Sequence, residues 1–152
     1  MPDPAQLLRG CLVERTCLFG FSPLSSAELA RRLVTGASVH ELPGHFALTL
    51  SGSKDGDRFE AVVTSAISAF PYYVYGDHGR FVHGTSVFEV ASDGALEWTW
   101  NERALNCLAL MEHCIGEDTL HRDIRRARSA TLYFFADQTL TETPFAPVTW
   151  MA

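Results

Sequence analysis

Four cysteines, six histidines and a short run of arginines are the side chains with the widest chemical reach in this chain. A cysteine thiolate attacks acyl carbons, and a cysteine at a mature N-terminus can use its own α-amine as the base. Cys11 follows Gly10, so trimming the ten residues ahead of it would expose such a nucleophile. Removal of Met1 would expose Pro2, a secondary amine able to act as a base or to form an iminium. Cys107 and Cys114 lie seven apart on a predicted helix and can share a face, with Glu112 and His113 alongside. Zinc there would need further ligands converging from elsewhere; packing as small apolar thiols is the alternative. With Cys17 they show no framework spacing, and no secretory signal precedes them, so free thiols are expected.

The remaining polar residues are less specific. His40, His45, His78, His83, His113 and His121 do not fall into a metal motif such as H-E-x-x-H. Ser25, Ser65, Ser68 and Ser86 lack the G-x-S-x-G elbow, and no glycine-rich phosphate loop is present. Asp77, His78 and Arg80 share one turn and are, with Cys107 and His113, where an unrelated active site would be sought. Arg122, Arg125, Arg126 and Arg128 form the one basic cluster. Either it is a solvated turn paired to nearby carboxylates, or it meets an anionic ligand or an acidic partner. No cofactor and no metal is expected.

Bulk properties narrow the class. A chain of 152 residues makes one domain with its own core. The net charge of −6 argues against general nucleic-acid binding, which rewards a basic surface. No apolar run approaches the roughly 18 residues of a membrane span, and the start Met1-Pro2-Asp3-Pro4 lacks the basic flank of a signal peptide. A cytoplasmic protein that binds neither membrane nor nucleic acid is the expectation.

The elements that must position these groups read as strands with a few helices. Residues 11–21 form a strand or two. Ser25-Ser26-Ala27-Glu28 is a capping box opening a helix through Leu29 and Leu33 to about Val34, with Gly36 able to end it. Strands over 46–50 and 59–64 flank a polar hairpin loop, Ser51 to Asp57. Tyr72 to Tyr75 and Arg80 to Val82 make the next hairpin, and a short helix covers 85–90. Asn101 caps a second clear helix whose inward stripe is Leu105, Leu108, Met111 (or Cys114) and Ile115, with Gly116 as its stop. A further strand, Thr131 to Phe135, follows. Residues 1–10 read as a flexible segment, 11–143 as the domain, and 144–152 as a Pro-broken tail, loose unless Phe145 or Trp150 docks. Hairpins interspersed with helices indicate an α+β domain with antiparallel sheet.

Phe70-Pro71-Tyr72-Tyr73, the glycine turn behind it, Leu42-Pro43-Gly44-His45-Phe46-Ala47 and Thr119-Leu120-His121-Arg122-Asp123-Ile124-Arg125-Arg126 occur in an order and spacing that carry information. They resemble the x-P-L-Y-Y, L-x-G-x-F-A and T-L-F-R-G-I-R-R stretches of the glutaminase half of asparagine synthetases, β-lactam synthetases and lasso-peptide cyclases. The likeness extends over residues 17–149. It implies a shortened sandwich of antiparallel sheets covered by helices, the fold of amidotransferases with an N-terminal nucleophile. It also sets Trp150 near the family's tryptophan, just ahead of the synthetase half.

The family's chemistry does not carry over with the scaffold. Leu18-Phe19-Gly20-Phe21 replaces the glutamine-binding N-G-E-Y, Ser65 replaces the Asp that opens D-x-x-G-x-x-P, and the S-D-x-E segment is missing. The expectation is a pseudo-amidotransferase without a catalytic residue of its own, the partner of a separately encoded ATP-dependent amide-forming synthetase in natural-product or peptide biosynthesis. Tyr72, Tyr73, Tyr75, Arg80, Arg125, Arg126, Phe145 and Trp150 are the candidate contacts with that partner or with a peptide or small-molecule substrate. A homo-oligomer that binds a small ligand, built by pairing a free sheet edge with itself, and a repurposed enzyme are the alternatives.

Overall fold

Asp55 and Gly56 take φ of 52° and 91°, the mirror-image turn whose twist suits a two-residue hairpin. They join β2 (His45–Lys54) to β3 (Asp57–Thr64), with Lys54 opposite Asp57. In the computed structural model, which describes residues 2–67, 69–77 and 79–147 and is of α+β class, this hairpin is the centre of a five-stranded sheet. On one side β1 (Leu12–Phe21) pairs antiparallel with β2; on the other, β7 (Thr131–Ala136) pairs with β3 and then with β8 (Thr139–Pro144). The sheet order is β1-β2-β3-β7-β8. A β-bulge interrupts β1 between Val13 and Arg15, over Gly52. A Cβ at Gly52 would stand 1.9 Å from the Leu12 carbonyl oxygen, so the bulge needs a residue without one.

By its internal contacts the chain divides into two compact units, Met1–Phe70 with Ser129–Ala152, and Pro71–Arg128 between them. In the first unit, α1 (Pro4–Leu8) and α2 (Ser26–Val34) lie on one face of the five-stranded sheet. Ser25 caps α2, its hydroxyl accepting from the Glu28 N–H at 3.1 Å. Leu8, Leu29 and Leu33 are wholly buried against alternate sheet residues, Leu48 and Leu50 of β2 and Ala61 and Val63 of β3. Each such leucine contributes roughly 1.5–3 kcal/mol through burial.

Within the segment that reads as flexible, residues 4–8 form α1: Asp3 caps it through the Ala5 N–H, Pro4 sits where a missing N–H costs nothing, and Lys54 Nζ donates to the Gln6 carbonyl at 3.0 Å. The tail 144–152 begins as the end of β8, and Phe145 docks in the core with its N–H on the Ala130 carbonyl at 2.8 Å. Trp150 lies outside the described residues.

The second unit holds a three-stranded sheet, β5 (Arg80–Gly84), β4 (Tyr73–Asp77) and β6 (Arg125–Arg126) in that order, with α3 (Val87–Asp93) and α4 (Glu102–Met111). Tyr75, Val90, Ala91 and Ile124 form its core, with Trp98 packed alongside. The segment after α4 is held from within. The wholly buried His121 accepts from the Asp123 N–H at Nδ1, so its Nε2–H donates to the Glu97 carbonyl at 3.2 Å. The Thr119 hydroxyl accepts from the His121 N–H and lies 2.6 Å from the Ile124 carbonyl.

α4 corrects the expected inward stripe. Of its residues only Ala104 is buried, while Leu105, Leu108, Met111 and, beyond the helix, Ile115 are exposed. Apolar periodicity fixes which residues share a face, and says nothing of whether the chain itself covers that face. The helix also stops earlier than Gly116. Glu112 adopts φ 61° and donates its N–H to the Leu108 carbonyl, the left-handed cap more often supplied by glycine. Among the described residues no helix is long and apolar enough to cross a membrane.

Candidate functional site

Within the unit Pro71–Arg128, a cleft of 320 Å³ opens beside the β4–β6 ladder. Tyr73 and Arg126 are opposite each other in that ladder, so their side chains share a face. The Arg126 N–H donates to the Glu117 carbonyl at 2.9 Å and ties the 112–120 segment to the strand. That segment brings Cys114, Asp118, Thr119 and Leu120 to the cleft, and Val87 closes it from the first turn of α3. His113 stands at its rim, where its Nδ1–H donates to the Met111 carbonyl at 2.7 Å and leaves Nε2 as an acceptor.

Charge is distributed unevenly around it. Glu117 receives both Arg125, at 3.2 Å, and Arg128. Asp118 is matched by Arg103, Nε to Oδ2 3.1 Å, although the N–H is not aimed at that oxygen. Arg126 is half-buried, and its guanidinium has no ion pair or hydrogen bond among the described residues. The Tyr73 hydroxyl is likewise without a partner among them. Among the described residues, the cleft thus brings together the Asp118 carboxylate and an arginine, Arg126, that makes no ion pair.

The structure sorts the residues singled out from sequence. Tyr72 is buried, its hydroxyl 2.8 Å from His83 Nδ1. Tyr75 is buried too and donates to Asp77 at 3.3 Å. Arg80 lies 5.7 Å from the centre of the Tyr75 ring and donates to the Gly94 carbonyl at 2.8 Å. Asp77 and Arg80 are thus occupied in holding the hairpin, and His78 lies outside the described residues. Tyr72, Tyr75 and Phe145, packed inside, offer no surface to a partner, and Arg125 is paired with Glu117. Of the candidate contacts among the described residues, Tyr73 and Arg126 meet at a cleft. His113 shares it with Cys114 rather than with Cys107, which stays on α4. Asp118 and Thr119 carry no local signal of the cleft, since it is the register that sets residue 126 against residue 73 that brings them to it. Among the described residues no group of three or more His, Cys, Asp or Glu could hold a metal ion.

Cys11 and Ser65 have structural duties. Cys11 borders a cleft of 330 Å³ between β1 and α2. Its thiol donates to the Leu7 carbonyl at 3.4 Å, its own N–H is bonded to the Leu8 carbonyl, and burial pushes the thiol pKa up, with Asp55 adding to the rise and Lys54 opposing it. The acid and base that share this cleft, Glu14 and Arg31, are bound to Arg58 and Glu28. Ser65 accepts from the Phe46 N–H at 3.0 Å and donates to the Ile67 carbonyl at 2.9 Å, closing a strand crossing.

The surface of the second unit carries a different feature. Phe88 stacks on Trp98 at 5.1 Å, and Trp100 meets Trp98 edge-on at 5.4 Å. Phe88 and Trp100 are more than half exposed, and the open apolar face of α4 follows them in sequence. Seven of the ten exposed large apolar side chains among the described residues fall between 88 and 115, a concentration far above the scattered singles of an ordinary surface. No protein-family model matches this chain and no curated protein matches it, so these two surfaces are read from their own geometry.

Proposed function

We propose that this chain is a non-catalytic accessory domain, built on the sandwich of amidotransferases with an N-terminal nucleophile. In this reading it docks on a separately encoded ATP-dependent synthetase that joins a carboxylate to an amine in natural-product or peptide biosynthesis. The observation that carries the reading is the run of apolar side chains left in water from Phe88 to Ile115, Leu110 being 85% exposed. Moving a leucine of this kind into an interface contributes on the order of 1 kcal/mol, and aromatic anchors such as Trp100 concentrate binding energy. Cys11 supports the non-catalytic half: a buried, protonated thiol bonded to a carbonyl is a poor nucleophile.

Size exclusion with light scattering, on the chain mixed with an ATP-dependent synthetase of this kind, tests the reading. A joint peak of stoichiometric mass is expected; separate elution at micromolar concentrations would contradict it. Self-association is the second reading, favoured by β1, which among the described residues pairs on one side only and carries the exposed Cys17. A stable dimer of the purified chain would select it.

A further inference from the structure

We infer that the cleft beside Tyr73 and Arg126 binds a small carboxylate carried on an apolar body, with Arg126 as its anchor. The inference does not depend on the partner proposed above. A guanidinium offers five N–H donors and does not lose its proton, and a half-buried one ordinarily meets an acceptor, because withdrawing it from water without one is costly. The nearby acids face other arginines: Glu117 takes Arg125 and Arg128, and Asp118 has Arg103 at 3.1 Å, without a hydrogen bond to that oxygen. No described residue supplies an acceptor to the Arg126 side chain, which leaves that place to water or to the anion of a ligand.

The lining says which anion. Arg126 is the one arginine in the lining, and its planar fork matches a carboxylate through two parallel hydrogen bonds. A phosphate dianion is disfavoured, since the cleft has no second free cation and Asp118 is part of its wall. Val87, Leu120 and the Tyr73 ring offer an apolar wall to the rest of the ligand, and the Tyr73 hydroxyl supplies a second polar handle. At ~30 Å³ per small non-hydrogen group, 320 Å³ accommodates on the order of ten atoms. That is the size of a short branched or aryl-substituted acid.

Heteronuclear NMR titration of the full chain tests this, with 4-methylpentanoate and 3-phenylpropanoate as probes, 4-methylpentan-1-ol as the neutral isostere and inorganic phosphate as the dianion. Both carboxylates should shift the amide signals of Cys114, Thr119 and Leu120 with millimolar affinity, at least about tenfold tighter than the alcohol or phosphate. Arg126→Gln should weaken the carboxylates by about tenfold, while Arg122→Gln, altering an exposed arginine of the same segment, should leave them unchanged. Arg126→Lys keeps the charge and the ladder but loses the fork, so it should fold and bind with intermediate affinity. Equal binding of alcohol and acid, undiminished binding by both Arg126 variants, a preference for phosphate, or no shift in the cleft at saturating probe would each overturn the inference.

Discussion

Tyr73 and Arg126 stand opposite each other across the β4–β6 ladder, although fifty-two positions separate them in the chain. Adjacent strand residues point to opposite faces, and the two-residue β6 uses this to split its arginines. Arg125 goes to Glu117, while Arg126 turns to the cleft. The basic cluster thus has both characters that its composition allowed, a paired turn and an open cation.

Glu117 is the hinge of that division, so Glu117→Gln should release Arg125 and Arg128 together. Both pairs are partly solvent-exposed, which limits their worth to about 0.5–1 kcal/mol. Urea denaturation should show a loss of this size. Carboxylate binding should persist, because Arg126 does not use Glu117's carboxylate.

Thiol reactivity should rank the cysteines by environment. Cys17, exposed on β1, should alkylate first and buried Cys11 last. Its raised pKa means that Cys11 favours the folded state below the ordinary thiol value of 9, an advantage lost as the pH climbs through the folded value. At Cys114 the rate with iodoacetate relative to iodoacetamide should exceed the same ratio at Cys17 by roughly fivefold, the effect of one nearby cation in water. Mass spectrometry of alkylated peptides reads this ratio, and Arg126→Gln should abolish the difference.

Glu28 accepts from both Arg31 and Arg32 at 2.8 Å. These hydrogen bonds, Arg31's first, hold its carboxyl down at about 2. The lowered value gives a stabilisation present above the ordinary carboxyl pKa of 4.5 and lost as the pH falls toward 2. Glu28→Gln should remove that part of the acid sensitivity. Melting curves between these two pH values should therefore converge for the parent and the variant at the acid end.

Phe145→Ala should test whether the segment after β8 belongs to the core. Phe145 is 6% exposed among the apolar residues of the first unit. Removing such a ring costs about 3 kcal/mol or more, whereas a loose tail would lose almost nothing. Equilibrium unfolding distinguishes the two.

Local signals were legible wherever one residue type had one backbone duty. Asp55-Gly56 announced its hairpin, Ser25 and Asn101 their helices, and the β-branched and aromatic runs their strands; together these give the α+β class. β8 escaped because its turn uses Asp137-Gln138, both at positive φ (49° and 58°), where asparagine or glycine would have been the cue. α1 escaped as well: Asp3-Pro4 is a cap followed by a helix-starting proline, but five residues are too few to show periodicity. The cleft was hidden for another reason. It depends on the pairing of residue 73 with residue 126 and on which carboxylate takes which arginine, and neither is a property of nearby residues. For α4 the pattern gave a correct face and a wrong environment.

The most direct test of the docking account replaces Leu108 and Met111, both exposed on α4, with glutamate and measures calorimetric affinity for the proposed synthetase partner. Leu108→Glu with Met111→Glu should leave the melting temperature of the isolated chain nearly unchanged and weaken the complex at least a hundredfold, about 2.7 kcal/mol. A double variant that binds as tightly as the parent, or a parent chain that gives no heat with the synthetase, would contradict it.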